Sequence, residues 1–193
     1  MIEVVVGSPE TMGAEAILRP VSDALEPVST VSRDIGIAAG QEVLDRLGAL
    51  GELPPGGALV TPAGHLRCDF LVHVSVMGRG EPVDADTVER AFLNGLRRAG
   101  AMGLSSLAAP PLGCGAQGLD AERSAAAMRR AVETHRMASP LPDRVVIAVA
   151  SEYELDVFRR AFSEGPEPGA HGGRGQNCSA PGTRPTPAEP TTT

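Results

Sequence analysis

The sequence predicts one α/β domain in which a largely parallel sheet is covered by helices on both faces. Short apolar runs typical of buried strands alternate along the chain with longer amphipathic stretches typical of helices. Because strands separated by helices of this length form βαβ units, the alternation favours three layers, α/β/α. A chain of 193 residues is long enough for one such domain and a tail.

Six short segments have the composition of strands. They are residues 2–6, 16–18, 58–61, 70–76, 104–109 and 145–149. The fourth is apolar at both odd and even positions, as expected of an interior strand covered on both faces. His73 lies inside that strand, so we expect it to be a histidine of the core.

Four stretches have the pattern of helices. In the first, between residues 34 and 50, one face carries Ile35, Ala39, Val43, Leu47 and Leu50, which predicts one helix that Ser32 or Asp34 caps. The second begins near Asp84 or Asp86. The third runs from about Asp120 to about Met137, with His135 expected to be solvated, and the fourth is marked by Leu155, Phe158 and Phe162.

The composition divides the chain and excludes several classes of function. Residues 164–193 are rich in Pro, Gly and Thr, so we expect a disordered tail after an ordered domain at 1–163. The net charge is −7 and the chain has no lysine, which argues against nucleic acid as a partner. There is no run long enough to span a membrane and no secretion signal, and the three cysteines are scattered. We therefore expect a cytoplasmic protein with no membrane partner and no metal site.

A glycine-rich turn joins the fifth predicted strand to the third predicted helix. Gly113, Gly115 and Gly118 follow the pattern Gly-x-Gly-x-x-Gly. Glycines here leave backbone N–H groups open at the positive end of a helix dipole, where a phosphate can bind. The alternative is a tight turn that the fold alone requires.

Three segments carry a resemblance to a known family: residues 54–66 followed by 71–74, residues 108–119, and residues 37–40. In that order they look like the passage from helix to strand, the second phosphate-contacting loop and the end of the first helix of the macro domain family, whose members bind ADP-ribose. The likeness spans about residues 2–162. It implies a three-layer α/β/α macro-domain-like fold with a mixed, largely parallel sheet. It also implies ADP-ribose or an ADP-ribosylated protein as the partner, with no cofactor.

The chain departs from the family pattern at three places. Gly7-Ser8 stands where the family has Gly-Asp, whose aspartate reads the adenine amino group. Residues 19–31 keep the length of the family's first loop but replace its asparagines and glycines, and Pro20 and Pro27 carry no N–H. Where the family has a large side chain after the last strand, this chain has Ala150, with Tyr153 a turn further on.

The resemblance therefore implies a site in which the loop from Gly113 to Gly118 holds the diphosphate of the ligand. The expected ligand-binding residues are Gly7, Ser8, Val31, Leu112, Gly113, Cys114, Gly115, Ala116, Gln117, Gly118, Ala150 and Tyr153.

Three functions stay open at this point. The first is a binder of ADP-ribose or a related nucleotide, free or attached to protein. The second is a degenerate domain that acts as a protein interaction module, its first loop filling the old cleft. The third is an ADP-ribosyl hydrolase with a non-standard catalytic set, in which Asp34 or His65 orients water. No catalytic residue is identified, and Cys114 is either a nucleophile near a helix N-terminus or a small packing residue.

Overall fold

The computed structural model describes residues 1–114 and 118–163, where strands and helices alternate as the sequence predicts. The predicted disordered tail at 164–193 lies outside the described residues, as do Gly115, Ala116 and Gln117. The elements are β1 (Ile2–Val6), β2 (Ala16–Ser22), α1 (Thr30–Ala39), α2 (Gln41–Leu50), β3 (Ala58–Pro62), β4 (Phe70–Met77), α3 (Ala85–Ala101), β5 (Ser106–Ala109), α4 (Ala121–Ala138), β6 (Arg144–Val149) and α5 (Glu152–Ser163).

The described strands form one mixed sheet in the order β1-β6-β5-β2-β4-β3. Every neighbouring pair is parallel except β3 with β4, which is antiparallel. This confirms the predicted fold class. The carboxyl ends of β1, β6, β5 and β2 consequently meet at one edge of the sheet, where loops from distant parts of the chain come together.

The apolar core lies on both faces of the sheet. On one face, α3, α4 and α5 bury Phe92, Met128 and Phe158. On the other face, α1 and α2 bury Ile35 and Val43. Two carboxylates cap the longest helices. Asp84, one of the two aspartates expected at the start of α3, accepts the N–H of Thr87, and Asp120 accepts the N–H of Arg123.

The prediction of one helix over residues 34–50 is wrong, because the chain forms two helices that separate at Gly40. Gly40 has a φ of 97°, and its missing side chain makes room for His65, whose Nδ1 would lie 2.9 Å from an added Cβ. Leu50, the last residue of the second helix, is 58% exposed. The first of these helices is capped by Ser29, neither by Ser32 nor by Asp34.

The two histidines expected in opposite environments are both buried. His73 lies in the core as predicted, and its Nε2 is 2.9 Å from the hydroxyl oxygen of Thr61. The prediction that His135 is solvated is wrong, since its Nε2 lies 2.6 Å from the carbonyl oxygen of Leu141, which the chain after α4 brings over it. In the part of the chain described, no helix has the length and apolar character to cross a membrane.

Candidate ligand-binding site

A cavity of about 610 Å³ lies at the carboxyl ends of the strands; we call it the main cavity. Segments that follow β1, β2, β5 and β6 form its walls. The described residues that line it are Gly7, Ser8, Pro9, Glu10, Val28, Ser29, Thr30, Val31, Asp34, Pro110, Pro111, Cys114, Ala148, Ala150 and Glu154. Sheets of this kind bind ligands at this edge.

The N-terminus of α1 forms one wall. The Ser29 side chain accepts the N–H of Ser32 at 3.1 Å, and its carbonyl oxygen accepts the N–H of Arg33 at 3.0 Å. The N–H groups of Thr30 and Val31 have no partner among the described residues. Because the helix dipole adds partial positive charge there, these two donors suit an anionic group.

The loop between β2 and α1 closes on itself before that helix begins. The N–H of Ser22 donates to the carbonyl of Glu26 at 2.9 Å, and the N–H of Leu25 donates to the carbonyl of Ser22 at 3.0 Å. Leu25 adopts a φ of 63°, which is uncommon for a residue with a side chain. The N–H of Asp23 in the same turn donates to the carbonyl oxygen of Met77 at 2.9 Å, which ties the turn to the end of β4.

Side chains of α4 hold the segment that follows β5 in place. The N–H of Leu112 donates to the Met128 sulfur at 3.4 Å, and the Ser124 hydroxyl donates to the Leu112 carbonyl at 2.7 Å. Gly113 has a φ of 74°, and a Cβ there would lie 2.7 Å from Cγ2 of Val88. The segment is thus fixed by packing that only glycine permits at this position.

Three carboxylates lie in the main cavity, and no Lys, Arg or His is among its described lining residues. The hydroxyl of Ser8 donates to Glu10. Glu154 accepts the N–H of Ala150 at 2.8 Å. The third, Asp34, is 3.8 Å from Nε of the exposed Arg33. Carboxylates accept hydrogen bonds from hydroxyl and amino groups, so an anionic part of a ligand must rely on backbone N–H groups.

Cys114 lines the main cavity as a neutral thiol. Burial raises the pKa of this thiol; a hydrogen bond with Ser124 lowers it by a smaller amount, and the charges of Glu154 and Asp120 raise it further. A nucleophilic cysteine requires the thiolate, which a depressed pKa supplies. The environment of Cys114 therefore favours the interpretation of a small packing residue.

A buried polar layer supports α1 from the side of the sheet. The Nε of Arg19 donates to the carbonyl oxygen of Ser32 at 2.8 Å, and burial lowers the pKa of Arg19 to about 10. A Cβ on Gly36 would lie 2.8 Å from Nη2 of Arg19, so the glycine makes room for the guanidinium. Burial, together with Arg19, lowers the pKa of the neighbouring His73 to about 3.

The structure brings five of the predicted site residues to the main cavity: Gly7, Ser8, Val31, Cys114 and Ala150. Gly113 and Gly118 line a smaller neighbouring cavity.

Two others lie elsewhere. Leu112 is buried beneath the loop, and Tyr153 is 62% exposed with its hydroxyl 2.8 Å from a carboxylate oxygen of Glu122. Gly115, Ala116 and Gln117 lie outside the described residues. His65, weighed above as a residue that orients water, is exposed and packs at Gly40.

Sequence reasoning missed two carboxylates of the main cavity. Glu10 lies in a single turn of 3-10 helix, Pro9–Thr11, and the proline after a strand end was a signal for such a turn. Glu154 follows Ser151 at the spacing of a capping box, which is visible in the sequence. The Ser151 side chain accepts the N–H of Glu154 at 3.2 Å.

The fold and the position of the main cavity define a three-layer α/β/α domain that binds ligands at the carboxyl ends of its strands. The model of the Macro domain family matches residues 20–128. The chain is 32% identical over 165 residues to an O-acetyl-ADP-ribose deacetylase of Enterobacter sp. (strain 638), an alignment covering 82% of this chain and 92% of that protein. The chain therefore belongs to the macro domain family, which confirms the resemblance seen in its sequence.

Solved structures agree with this fold. A mutant of the Oceanobacillus iheyensis macrodomain has a TM-score of 0.76 at 21% identity, covering 84% of this chain and 90% of that one. Another mutant of that macrodomain, solved with ADPR, has a TM-score of 0.75 at 20% identity, covering 84% of this chain and 91% of that one.

Proposed function

We propose that this chain binds ADP-ribose or a closely related nucleotide, free or attached to protein, in the main cavity. The observation that carries the proposal is the pair of unpartnered N–H groups of Thr30 and Val31 at the start of α1, facing a cavity of about 610 Å³. Small-molecule sites commonly measure roughly 300 to 1,000 Å³. The O-acetyl-ADP-ribose deacetylase among its relatives and the similar macrodomain solved with ADPR support the same class of ligand.

In this proposal the diphosphate lies between the start of α1 and Cys114. The two N–H groups of α1 hold it without a cationic side chain, as helix N-termini do in other phosphate sites. The helix thus supplies donors in place of the glycines that the family carries in its first loop. Gly115, Ala116 and Gln117 stay predicted contacts of the same group.

The adenosine half lies at the other end, between the turn after β1 and the start of α5. Glu10 is the acceptor for the adenine amino group in this proposal, and Ser8 orients it by donating to its carboxylate. In this proposal the Glu10 carboxylate, on a one-turn helix, recognises the adenine amino group, which is the role of the family's aspartate at the position of Ser8. Glu154 holds the backbone of Ala150 in place beside it.

The structure gives different support to the two alternative functions that the sequence left open. The interaction-module hypothesis required the first loop to fill the cleft, and the main cavity instead separates Val28 and Ser29 from Cys114 in the described structure. An ADP-ribosyl hydrolase stays a second candidate, because the Asp34 carboxylate lines this cavity and is available to orient a water. We also infer a cytoplasmic location, which the unpaired thiols of Cys68 and Cys114 support.

The proposal is tested by calorimetric titration of ADP-ribose into the wild type, Thr30→Pro and Thr30→Ala. Proline fits the first position of a helix, and Ser29 already has the extended backbone that a following proline requires (φ −153°, ψ 166°), so Thr30→Pro removes one N–H and keeps α1 intact. We expect binding by the wild type and Thr30→Ala, and about fivefold or greater weakening in Thr30→Pro, the cost of one charge-assisted hydrogen bond.

Adenosine, which lacks the diphosphate, is the matched ligand. Its affinity should be equal in Thr30→Pro and Thr30→Ala. Absence of heat and of any thermal shift with ADP-ribose in the wild type would contradict the proposal.

A further inference from the structure

The charges around α1 are unevenly distributed. The carboxylates of Glu10, Asp34 and Glu154 line the main cavity, and no Lys, Arg or His is among its described lining residues. Between α1 and the sheet lies the side chain of Arg19, a residue that is 1% exposed. A buried charge without an opposite charge costs far more free energy than an exposed one. An anion close to Arg19 would therefore stabilise it.

Arg19 is a buried cation without a counter-charge in the described structure. In that part of the chain no carboxylate forms an ion pair with Arg19, and its Nη1 has no hydrogen-bond partner. The acid of α1, Asp34, lies 3.8 Å from Nε of the exposed Arg33 instead. The neighbouring His73 is neutral at pH 7, since its pKa is lowered to about 3. Burial lowers the pKa of Arg19 only to about 10, so the guanidinium stays charged at neutral pH.

A hydrogen bond and close packing fix the guanidinium against the first two turns of α1. The Nε of Arg19 donates to the carbonyl oxygen of Ser32 at 2.8 Å. One turn further on, a Cβ on Gly36 would lie 2.8 Å from Nη2 of Arg19. The hydroxyl of Ser32 donates to the carbonyl of Pro20, which ties the same turn of α1 to β2. The positive charge is thus held at a fixed position behind the start of the helix.

The two free N–H groups at the start of α1 lie close to this charge. Thr30 and Val31 precede Ser32 by two positions and one position, and each residue of a helix advances about 1.5 Å, so an anion bound at these N–H groups lies about 10 Å from the guanidinium. At that separation and an effective dielectric constant of about 20, the attraction between unit charges corresponds to about a tenfold change in affinity. Arg19 can therefore act on an anion that it does not contact.

We propose that the buried guanidinium of Arg19 is the counter-charge of the ligand's diphosphate and acts on it across the first turn of α1. This inference rests on the proposed function and deepens it, since it names the positive charge that favours an anion in a cavity lined by carboxylates. Arg19 does not line the main cavity and contacts no ligand atom in this proposal, so it is a positioning residue. Because the charge is buried, salt screens it less than it screens charges at the surface.

The test is calorimetric titration of ADP-ribose and of adenosine into the wild type, Arg19→Gln and Arg19→Met. Gln removes the charge and keeps an N–H donor, whereas Met removes both. Apolar side chains of similar volume often replace buried charges without loss of stability, so we expect Arg19→Met to fold, and urea unfolding checks both variants. ADP-ribose should bind at least about fivefold more weakly to each variant, and the affinity for the uncharged adenosine should stay within about twofold of the wild type.

Ser32→Ala is the matched control for support of the helix. It removes the hydrogen bond from the Ser32 hydroxyl to the Pro20 carbonyl and leaves the charge of Arg19 in place. ADP-ribose should bind to Ser32→Ala within about twofold of its wild-type affinity. A loss equal to that of Arg19→Met would show that Arg19 acts by holding α1 and not by its charge.

A double-mutant cycle separates the charge of Arg19 from the N–H groups that contact the anion. Thr30→Pro removes one of those N–H groups, and Arg19→Met removes the charge behind them. If the charge acts through space, Arg19→Met should weaken ADP-ribose binding by the same factor in the wild type and in Thr30→Pro. Disappearance of the effect in Thr30→Pro would show that Arg19 only orients the N–H of Thr30, which contradicts the inference.

The outcomes separate the two proposals. If the wild type binds ADP-ribose but either Arg19 variant binds it within about twofold of the wild type, or if adenosine is weakened as much as ADP-ribose, Arg19 is not the counter-charge and the proposed function stands. If ADP-ribose fails to bind the wild type, the proposed function is wrong and this inference is wrong with it.

Discussion

The two segments that border the main cavity, residues 23–29 before α1 and residues 110–120 before α4, are built in different ways. The first contains a turn in which the N–H of Leu25 donates to the carbonyl oxygen of Ser22, and the buried side chain of Arg19 supports the helix α1 that follows. In the second, the described residues rest on apolar side chains and depend on Gly113. The first segment contains no glycine, and the free N–H groups of Thr30 and Val31 lie where α1 begins, so in our proposal the start of a helix takes the place of loop glycines.

The largest effect should come from adding a methyl group to the second segment. Gly113→Ala places a Cβ 2.7 Å from Val88 at a φ of 74°, so we expect a loss of about 3 kcal/mol from strain and overpacking. Gly103 has the same φ and open space around it, and Gly103→Ala should cost only about 1 kcal/mol. Urea unfolding of both variants measures the difference, and equal costs would show that Gly113 is not held by its neighbours.

The buried polar layer beside α1 should make stability sensitive to acid. The pKa of His73 is lowered to about 3, below its value in the unfolded chain, so its contribution is fully present above about pH 6.5 and is lost as the pH falls. Between about pH 7 and about pH 5 we expect His73 to account for roughly 2 kcal/mol of lost stability.

Urea unfolding at the two pH values checks this, with His73→Gln as the control. The variant should lose less stability over that interval. The same loss in the variant and in the wild type would rule out His73 as the source.

A carboxylate introduced at the start of α1 should weaken binding of the ligand without destabilising the helix. Val31→Asp places a negative charge beside the two free N–H groups, and we expect at least about tenfold weaker binding of ADP-ribose. The stability of α1 should not fall, because acidic side chains are favourable in the first turn of a helix. Ile37→Asp, on the same helix at a position 66% exposed and outside the main cavity, should bind like the wild type. Equal weakening in both variants would point to net charge instead of position.

The smallest expected effect concerns salt. In our proposal N–H groups hold the diphosphate, while the carboxylates of Glu10, Asp34 and Glu154 line the cavity. Screening should weaken their repulsion, so raising the ionic strength from about 0.02 M to about 0.3 M should strengthen ADP-ribose binding by up to about threefold. Titrations at the two ionic strengths, with adenosine as an uncharged reference, measure this. A marked weakening would mean that a cationic side chain holds the diphosphate.

Much of the fold could be predicted because its signals are local. The alternation of strands and helices, and the cap Asp84, depend on neighbouring residues only. The break at Gly40 was missed because the helical stripe continues through it in the sequence. Its cause lies in a distant loop, where His65 packs against the glycine.

The candidate site was predictable in part for the same reason. Gly7, Cys114 and Ala150 follow strands, so their place at one edge of a parallel sheet follows from topology. The proposed use of N–H groups at the start of α1, in place of loop glycines, could not be predicted. In the sequence, Pro27 and Val28 indicate only that the loop lacks the family's glycines. Which N–H groups stay free depends on the turn that forms around Ser22 and Glu26.

The amino-acid sequence by itself determined the layers, the order of the elements and the family, because hydrophobic periodicity and turn chemistry act over a few residues. Only the tertiary structure decided that carboxylates line the main cavity and that burial raises the pKa of the Cys114 thiol. These properties arise where loops from distant strands meet. The burial and the partners of each group there depend on residues far away in the chain.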